Sequence, residues 1–581
     1  MPLTALTGTL GRKRAAHLLR RATFGATKAQ IDQIAALTAS EAMDLLFSSD
    51  GLVDPDLPID PATGEEWITN PLTDANTGEL GLIAFFKSWH FGQLLALGKS
   101  GDTALAYATR EKVTFLLHTI FTTIDSKVAN SKSLYYQNAL FRKFSFDDNG
   151  DPLFNFKTLS KKVCVENAML RFLDGDTNVL GSPNENFGRE FLELFSIGRG
   201  LEGALSPLPA PGDYFNYTEQ DVQAAALVFS GFNIDDTFSN IDLDTGLPKG
   251  VIRGGVTATA HDNTTKQFSY RFNDATISPN PDLLDGGSAT ELSTLDEIDQ
   301  LVEMIYSVSD EAARNICRKI YRFYVYYSID KTLDDDIINN LTQTFINSGY
   351  KIQPVLVDLF QSEHFYESGA GTSNDTFGSI IKSPMDLVFG ALKTLEVDIP
   401  DYSTQLESYY EFMGAIQQSM NSQGMVYYRP PEVAGYPAYH QFPIYNRSWI
   451  STNYLAERYQ FAQRLVDNMD EVVGVDVVQY VKDNFSSVAA NAKNLIIEIC
   501  RYFLPMNDNL TFDAAADDSA EITAERLNYF LMAFLYSPQI DADPEGSWNF
   551  RWTNSEDEEV VATQLKNLFN AILQSPEYQL S

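Results

Sequence analysis

Five polar residues between Pro183 and Phe195 have the types and spacing to do chemistry: Asn184, Asn186, Arg189, Glu190 and Glu193. A glutamate can act as a general acid or base or bind a metal, and an arginine can orient an anionic group. Arg189 and Glu193 are four residues apart, as are Asn186 and Glu190, so on a helix each pair would be neighbours. Phe187, Phe191, Leu194 and Phe195 recur at helical spacing on the other side. A polar cluster back to back with an aromatic stripe predicts a helix buried on both sides. A buried polar cluster must be satisfied internally or used by a ligand. Two readings are open. In the first, Glu190 or Glu193 is the acid/base of an enzyme and Arg189 clamps an anionic substrate. In the second, the same residues form a hydrogen-bond network that locks helices together.

Other residues could join such a site. His17, Arg20 and Arg21 end the first predicted helix. The functional reading sets them against Glu190 and Glu193, while cations at a helix C-terminus also complement the dipole. His261-Asp262 with Lys266 forms a second group that could support catalysis. His118 follows Phe115-Leu116-Leu117 and reads as a core histidine. The aromatic, proline-rich loop from Tyr427 to Trp449 includes Tyr436 and could stack on sugar rings or an extended chain; otherwise it is a stiff loop packed on the body. Asp242-x-Asp244-x-Gly246 and Asp74-x-Asn76-x-Gly78 lack the later glutamate of a calcium loop and read as Asx turns. No H-E-x-x-H, G-x-S-x-G, Walker loop or dinucleotide fingerprint occurs. No cofactor follows from the sequence, and a divalent metal is left open.

The charge limits the partners. With 78 acidic against 42 basic residues the net charge is -36, which argues against nucleic acid and against anionic membranes. No stretch is long and apolar enough to span a bilayer, and residues 1–11 do not read as a secretory signal, so either the protein is cytoplasmic or a signal has been removed from this sequence. Cys164, Cys317 and Cys500 are far apart and read as free buried thiols, with no disulfide framework or zinc motif.

These residues must be positioned by a mainly α-helical, multi-helix body carrying a small β-containing insertion at about 231–290. A 581-residue chain is expected to divide into subdomains. We expect an N-terminal helical region over 12–230, the insertion over 231–290, a middle helical region over 291–367 and a C-terminal helical region over 377–581. The Gly/Ser/Asn-rich stretch 368–376 is the expected boundary. Thr27 with Gln30, and Thr218 with Asp221, predict helix starts through capping boxes. Single helices are predicted near 28–45 and 154–173. The insertion carries β-like runs at 250–260 and 266–272.

Several stretches, in order, resemble a large bacterial family known as domain of unknown function 1800. They are His17-Leu18-Leu19-Arg20-Arg21-Ala22-Thr23-Phe24-Gly25, Asn167-Ala168-Met169-Leu170 with Leu173-Asp174, and Asn184-Glu185-Asn186 with Arg189-Glu190 and Glu193-Leu194-Phe195. Tyr217-Thr218-Glu219 with Asp221-Val222 and Gly231 follows, then His261-Asp262 with Lys266, Lys382-Ser383-Pro384, and Pro430-Pro431 with Val433 and Gly435. The resemblance covers about 12–460. The family's Trp-His-Asn-His run is Leu117-His118-Thr119-Ile120 here, and its Gly-Trp-Pro is Gly435-Tyr436-Pro437. A joint metal role for two histidines at that place therefore does not carry over. The resemblance implies no particular reaction. Many members look exported and are encoded beside a second family similar to sulfatases and phosphatases. That implies a periplasmic or extracellular role and a candidate neighbour protein; the oligomeric state is open.

Overall fold

A computed structural model describes residues 3–71, 76–147, 150–205, 210–254, 258–366, 376–469, 472–515, 521–536 and 541–581. Helices dominate them, from Gly11–Ala22 at one end to Glu558–Leu573 at the other. Among the described residues the strands form three two-stranded antiparallel ribbons. Two of these lie in the expected insertion: Phe232–Asn233 pairs with Val251–Ile252, and Lys266–Gln267 pairs with Thr276–Ile277. The third pairs Ile59–Asp60 with Glu65–Glu66. One contiguous hydrophobic cluster runs from Leu10 to Tyr578 and draws on all four expected regions. The expected boundary at 368–376 lies outside the described residues except for Thr376.

Local signals explain most helix starts. Thr27 and Thr218 close their predicted capping boxes with Gln30 and Asp221. A second box, Thr38 with Glu41, starts a separate helix Ala39–Leu46, so the helix expected across 28–45 is two. Glu166 likewise caps Asn167–Phe172 by accepting from the Ala168 and Met169 amides, which splits the helix expected over 154–173.

The chain turns sharply after the first helix. Gly25 sits at φ +108, and a Cβ there would lie 2.7 Å from the Cα of Gly390. The turn therefore brings backbone against backbone on the Pro384–Thr394 helix, which any side chain would prevent.

The helices around Gly101–Ile120 are joined by a buried polar knot. This helix is buried along most of its length, with Arg110, Glu111 and Lys112 in its middle. Glu111 accepts two hydrogen bonds from Arg142 of the Ser131–Lys143 helix, at 2.7 and 2.8 Å. Arg142 also donates to Asn138 at 2.8 Å. His90, from the Glu79–Leu94 helix, lies 3.5 Å from Glu111 and shares a 2.6 Å hydrogen bond with the Tyr427 hydroxyl. Three helices and the aromatic loop thus meet on one ion pair. Burial alone would raise the Glu111 carboxyl, but the charge and hydrogen bonds of Arg142 outweigh it and hold the group well below the usual carboxylate range.

Removing one partner of such a pair leaves a buried charge alone. Glu111→Gln is expected to cost about 3–5 kcal/mol near neutral pH. A carboxylate whose folded pKa is depressed contributes stability above its unfolded pKa of about 4.3 and loses it as the pH falls. The gap between wild type and variant should therefore narrow in acid. Urea unfolding midpoints at neutral and acid pH check this; equal midpoints at neutral pH would refute it.

Candidate functional site

The Glu185–Glu190 helix starts at Asn184, whose side chain accepts from the Asn186 amide at 3.0 Å and donates to the Asp174 carbonyl at 3.1 Å. Asn184 is thus a capping residue. Gly188 sets the packing: a Cβ there would lie 2.8 Å from the Val222 carbonyl and 3.0 Å from the Ala226 nitrogen. That close approach lays the helix against Glu219–Val228 and brings Arg189 to Glu219. After Glu190 the backbone widens into a π turn over Phe191–Phe195, a feature frequent at functional sites. The Ser196 hydroxyl donates to the Phe191 carbonyl at 2.7 Å.

This geometry corrects the expected polar face. Phe187, Phe191 and Phe195 are buried, but Arg189, Glu190 and Glu193 are only partly buried and Asn186 is exposed. The helix is covered on one side only. The expected Arg189–Glu193 pair does not form, because the π turn displaces Glu193 and Glu219 is within reach of Arg189. Arg189 instead holds Glu219 with two hydrogen bonds, at 3.1 and 2.5 Å, and Tyr214 adds a third at 3.0 Å. Glu193 accepts from Arg199 at 2.6 Å and from the Tyr217 hydroxyl at 2.9 Å. Asn186 and Glu190 do not pair.

Glu190 is left without a hydrogen-bonding or ionic partner among the described residues. Partial burial, reinforced by the negative charge of Glu193, raises its carboxyl to about 7, against the opposing pull of Arg189 and Arg199. Four carboxylates (Glu185, Glu190, Glu193, Glu219) face two guanidinium groups here, and both of those are engaged. The site does not resemble an anion clamp. It presents a carboxyl that changes protonation near neutral pH, beside a second carboxylate anchored by Tyr217 and Arg199.

The other expected residues lie elsewhere. His17 is buried against Phe365 and Phe377, and its Nε2 is 3.1 Å from the Phe365 carbonyl. Burial, then the charges of Arg21 and Arg20, holds it well below the usual histidine range, so it is neutral. Arg20 donates to the Tyr502 carbonyl, and Arg21 to those of Tyr324, Val325 and Thr376. The arginines thus tie distant segments together through backbone oxygens, and neither they nor His17 touch the Glu190 cluster.

His261 and Lys266 do come together, with Glu297, a residue that sequence reasoning missed. Lys266 Nζ bonds the Glu297 carboxylate and the Asp262 carbonyl; His261 Nε2 lies 3.3 Å from Glu297. The side chains of His261, Lys266 and Glu297 are 0% exposed. Asp262 turns its carboxylate to Thr264, at 2.9 Å from that amide. This group is sealed from solvent and separate from Glu190.

Tyr436 and Trp449 are also buried, at 2% and 4% exposure, and Tyr436 donates to the Val426 carbonyl at 2.7 Å. They are core residues and not a stacking platform. His118 is buried and pushed down to about 3 by desolvation. Asp242 accepts from Thr245 as an Asx turn, and Lys162 meets Asp242 and Asp244 at 2.8 and 2.5 Å. Asp74 lies outside the described residues. Among the described residues no group of three or more His, Cys, Asp or Glu side chains is placed to hold a metal, and no helix is long and apolar enough to cross a membrane.

A family model described as "Protein of unknown function (DUF1800)" matches residues 17–580. The chain belongs to this family. The match reaches well past residue 460, so the C-terminal helices are part of the family body. No curated protein and no solved structure matches the chain. Tyr214, Tyr217, Arg199 and Glu219 complete the cluster of this family member. Tyr217 and Glu219 stand inside a motif that carried the resemblance, which was the one signal that could have found them.

Arg199 opposes the rise of the Glu190 carboxyl, so Arg199→Gln should move its titration upward. Arg199 is exposed, so stability should change by less than about 1 kcal/mol. A pH series of carboxyl spectra on wild type and variant checks the direction; a downward move would contradict this account of the site.

Proposed function

We propose that this chain is an enzyme of the hydrolase class in which Glu190 is the general acid/base. The carrying observation is a partly exposed carboxyl with no partner, raised to about 7 beside an anchored carboxylate. A general acid/base works best with a pKa near the operating pH. As carboxylate, Glu190 would take a proton from water; as the acid, it would return one to the leaving group. Glu193, fixed by Tyr217 and Arg199, would hold the charge beside it. Environments that distinguish two neighbouring carboxyls in this way are a recurrent mark of acid/base sites. Of polar and anionic substrates, the neutral polar ones fit, because Arg189 and Arg199 are engaged and acidic groups outnumber them.

The alternative reading is a non-catalytic cell-envelope or extracellular assembly protein. One surface supports it: Tyr529, Met532 and Tyr536 are 53%, 75% and 65% exposed beside a cleft of about 720 Å³. A bacterial, exported setting and a sulfatase- or phosphatase-like neighbour as partner rest on the family resemblance. The net charge of -36 makes nucleic acid an unfavourable partner in either reading.

The test is Glu190→Gln, assayed on neutral chromogenic glycosides and esters. Turnover should disappear, and the wild-type rate should rise through a midpoint near 7 if Glu190 acts as base. A raised folded pKa means that the native state binds its proton more tightly. The stability this confers is full below the unfolded value of about 4.3 and is lost as the pH rises through about 7. The variant should therefore melt above wild type at alkaline pH, by on the order of 1 kcal/mol after solvent screening, and equal it in acid. Unchanged turnover in the variant would remove Glu190 from the acid/base role, and no turnover by wild type on any of these probes favours the assembly reading.

A further inference from the structure

We propose that the cleft bounded by Tyr326, Tyr327, Asp330, Ser379, Asn446 and Arg447 binds a neutral carbohydrate chain. Its volume is about 660 Å³, within the range of small-molecule sites. It lies where the Glu311–Tyr324 helix ends and the aromatic loop passes.

One wall is aromatic. Tyr326 and Tyr327 are half-buried, with ring centroids 4.5 Å apart. Tyr327 continues to Tyr445 at 5.8 Å and 35°, and the Arg447 guanidinium lies 5.1 Å from its ring. The C–H face of a pyranose is apolar and stacks on such rings, while its hydroxyl edge needs fixed donors and acceptors.

Those groups are present and keep free positions. Asn446 is only 7% exposed, yet its amide makes no hydrogen bond among the described residues, and it lines the cleft. Its amide atoms are not sealed in the interior, so a ligand or water in the cleft can meet them. Asp330 uses one carboxylate oxygen to accept from the Leu333 amide at 2.8 Å, which leaves the other for a hydroxyl. Arg447 donates from Nε to the Ile444 carbonyl at 3.2 Å and from Nη2 to that of Pro443, leaving Nη1 free. An amide, a carboxylate and one guanidinium nitrogen beside tyrosine faces match vicinal hydroxyls. They do not match a phosphate, which would need several cations. The chain's charge of -36 disfavours uronic or sulfated sugars as well.

This site goes beyond the acid–base reading, and a binding assay tests it without turnover. The probes are tetrasaccharides of glucose, of N-acetylglucosamine and of galactose, with tetragalacturonate as the anionic counterpart. Saturation-transfer NMR and calorimetry on the full chain should give a Kd between about 10 μM and 1 mM for at least one neutral probe. Asn446→Ala and Tyr327→Ala should each weaken it about tenfold. Because Tyr327 packs on Tyr445, the exposed Arg447→Ala serves as a second check and should weaken binding about threefold with an unchanged melting curve. The proposal is overturned if no neutral probe binds at about 10 mM, if binding survives Asn446→Ala and Arg447→Ala intact, or if tetragalacturonate binds more tightly than the neutral probes.

Discussion

A carboxylate taken out of water must be met by a cation or by N–H groups, and this chain has few cations to give. With 42 basic residues against 78 acidic ones, where the arginines and lysines go determines much of the structure. Many are spent inside. Arg142 meets Glu111, Arg318 meets Asp334 at 2.6 and 3.0 Å, Lys112 meets Asp386 at 2.5 Å, and Lys266 meets Glu297. The buried Lys87 and the exposed Arg429 share the buried Asp125. Such pairs add little net stability, because desolvation offsets the attraction, but breaking one strands a buried charge. The surface is left acidic. At Glu190 the local cations are already engaged, Arg189 by Glu219 and Arg199 by Glu193. The carboxyl of Glu190 is raised to about 7 by its partial burial and then by the charge of Glu193, and with both arginines already paired their pull does not cancel this.

What was legible in the sequence was local. Capping boxes span three residues, so Thr27, Gln30, Thr218 and Asp221 announced their helices. Apolar periodicity announced the helical body, and the Gly/Thr/Asp/Asn composition of 231–290 announced the insertion. Its strands shrink to two residues each because side chains satisfy much of its backbone. The Asp235 carboxylate alone accepts from the amides of Thr237, Ser239 and Asn240.

What was not legible depended on a third dimension. Periodicity shows that Arg189, Glu190 and Glu193 share a face, but not whether that face is covered. The covering expected there occurs instead at Glu111, whose partner Arg142 lies 31 positions away. Glu297 is likewise 31 positions from Lys266. The π turn after Glu190 has no sequence signature, yet it decides that Glu193 turns to Arg199 and Tyr217. His17, Tyr436 and Trp449 were grouped with function by residue type, and burial assigns them to the core.

The acid–base reading therefore stands on one partly buried carboxyl left over after the cations are allotted. The most direct measurement is carbon-13 NMR of the Glu190 side-chain carboxyl across a pH series, assigned by comparison with Glu190→Gln. The account predicts an inflection at about 7. An inflection at the ordinary glutamate value, about 4.3, would show that the group is solvated or paired in solution and would contradict the account.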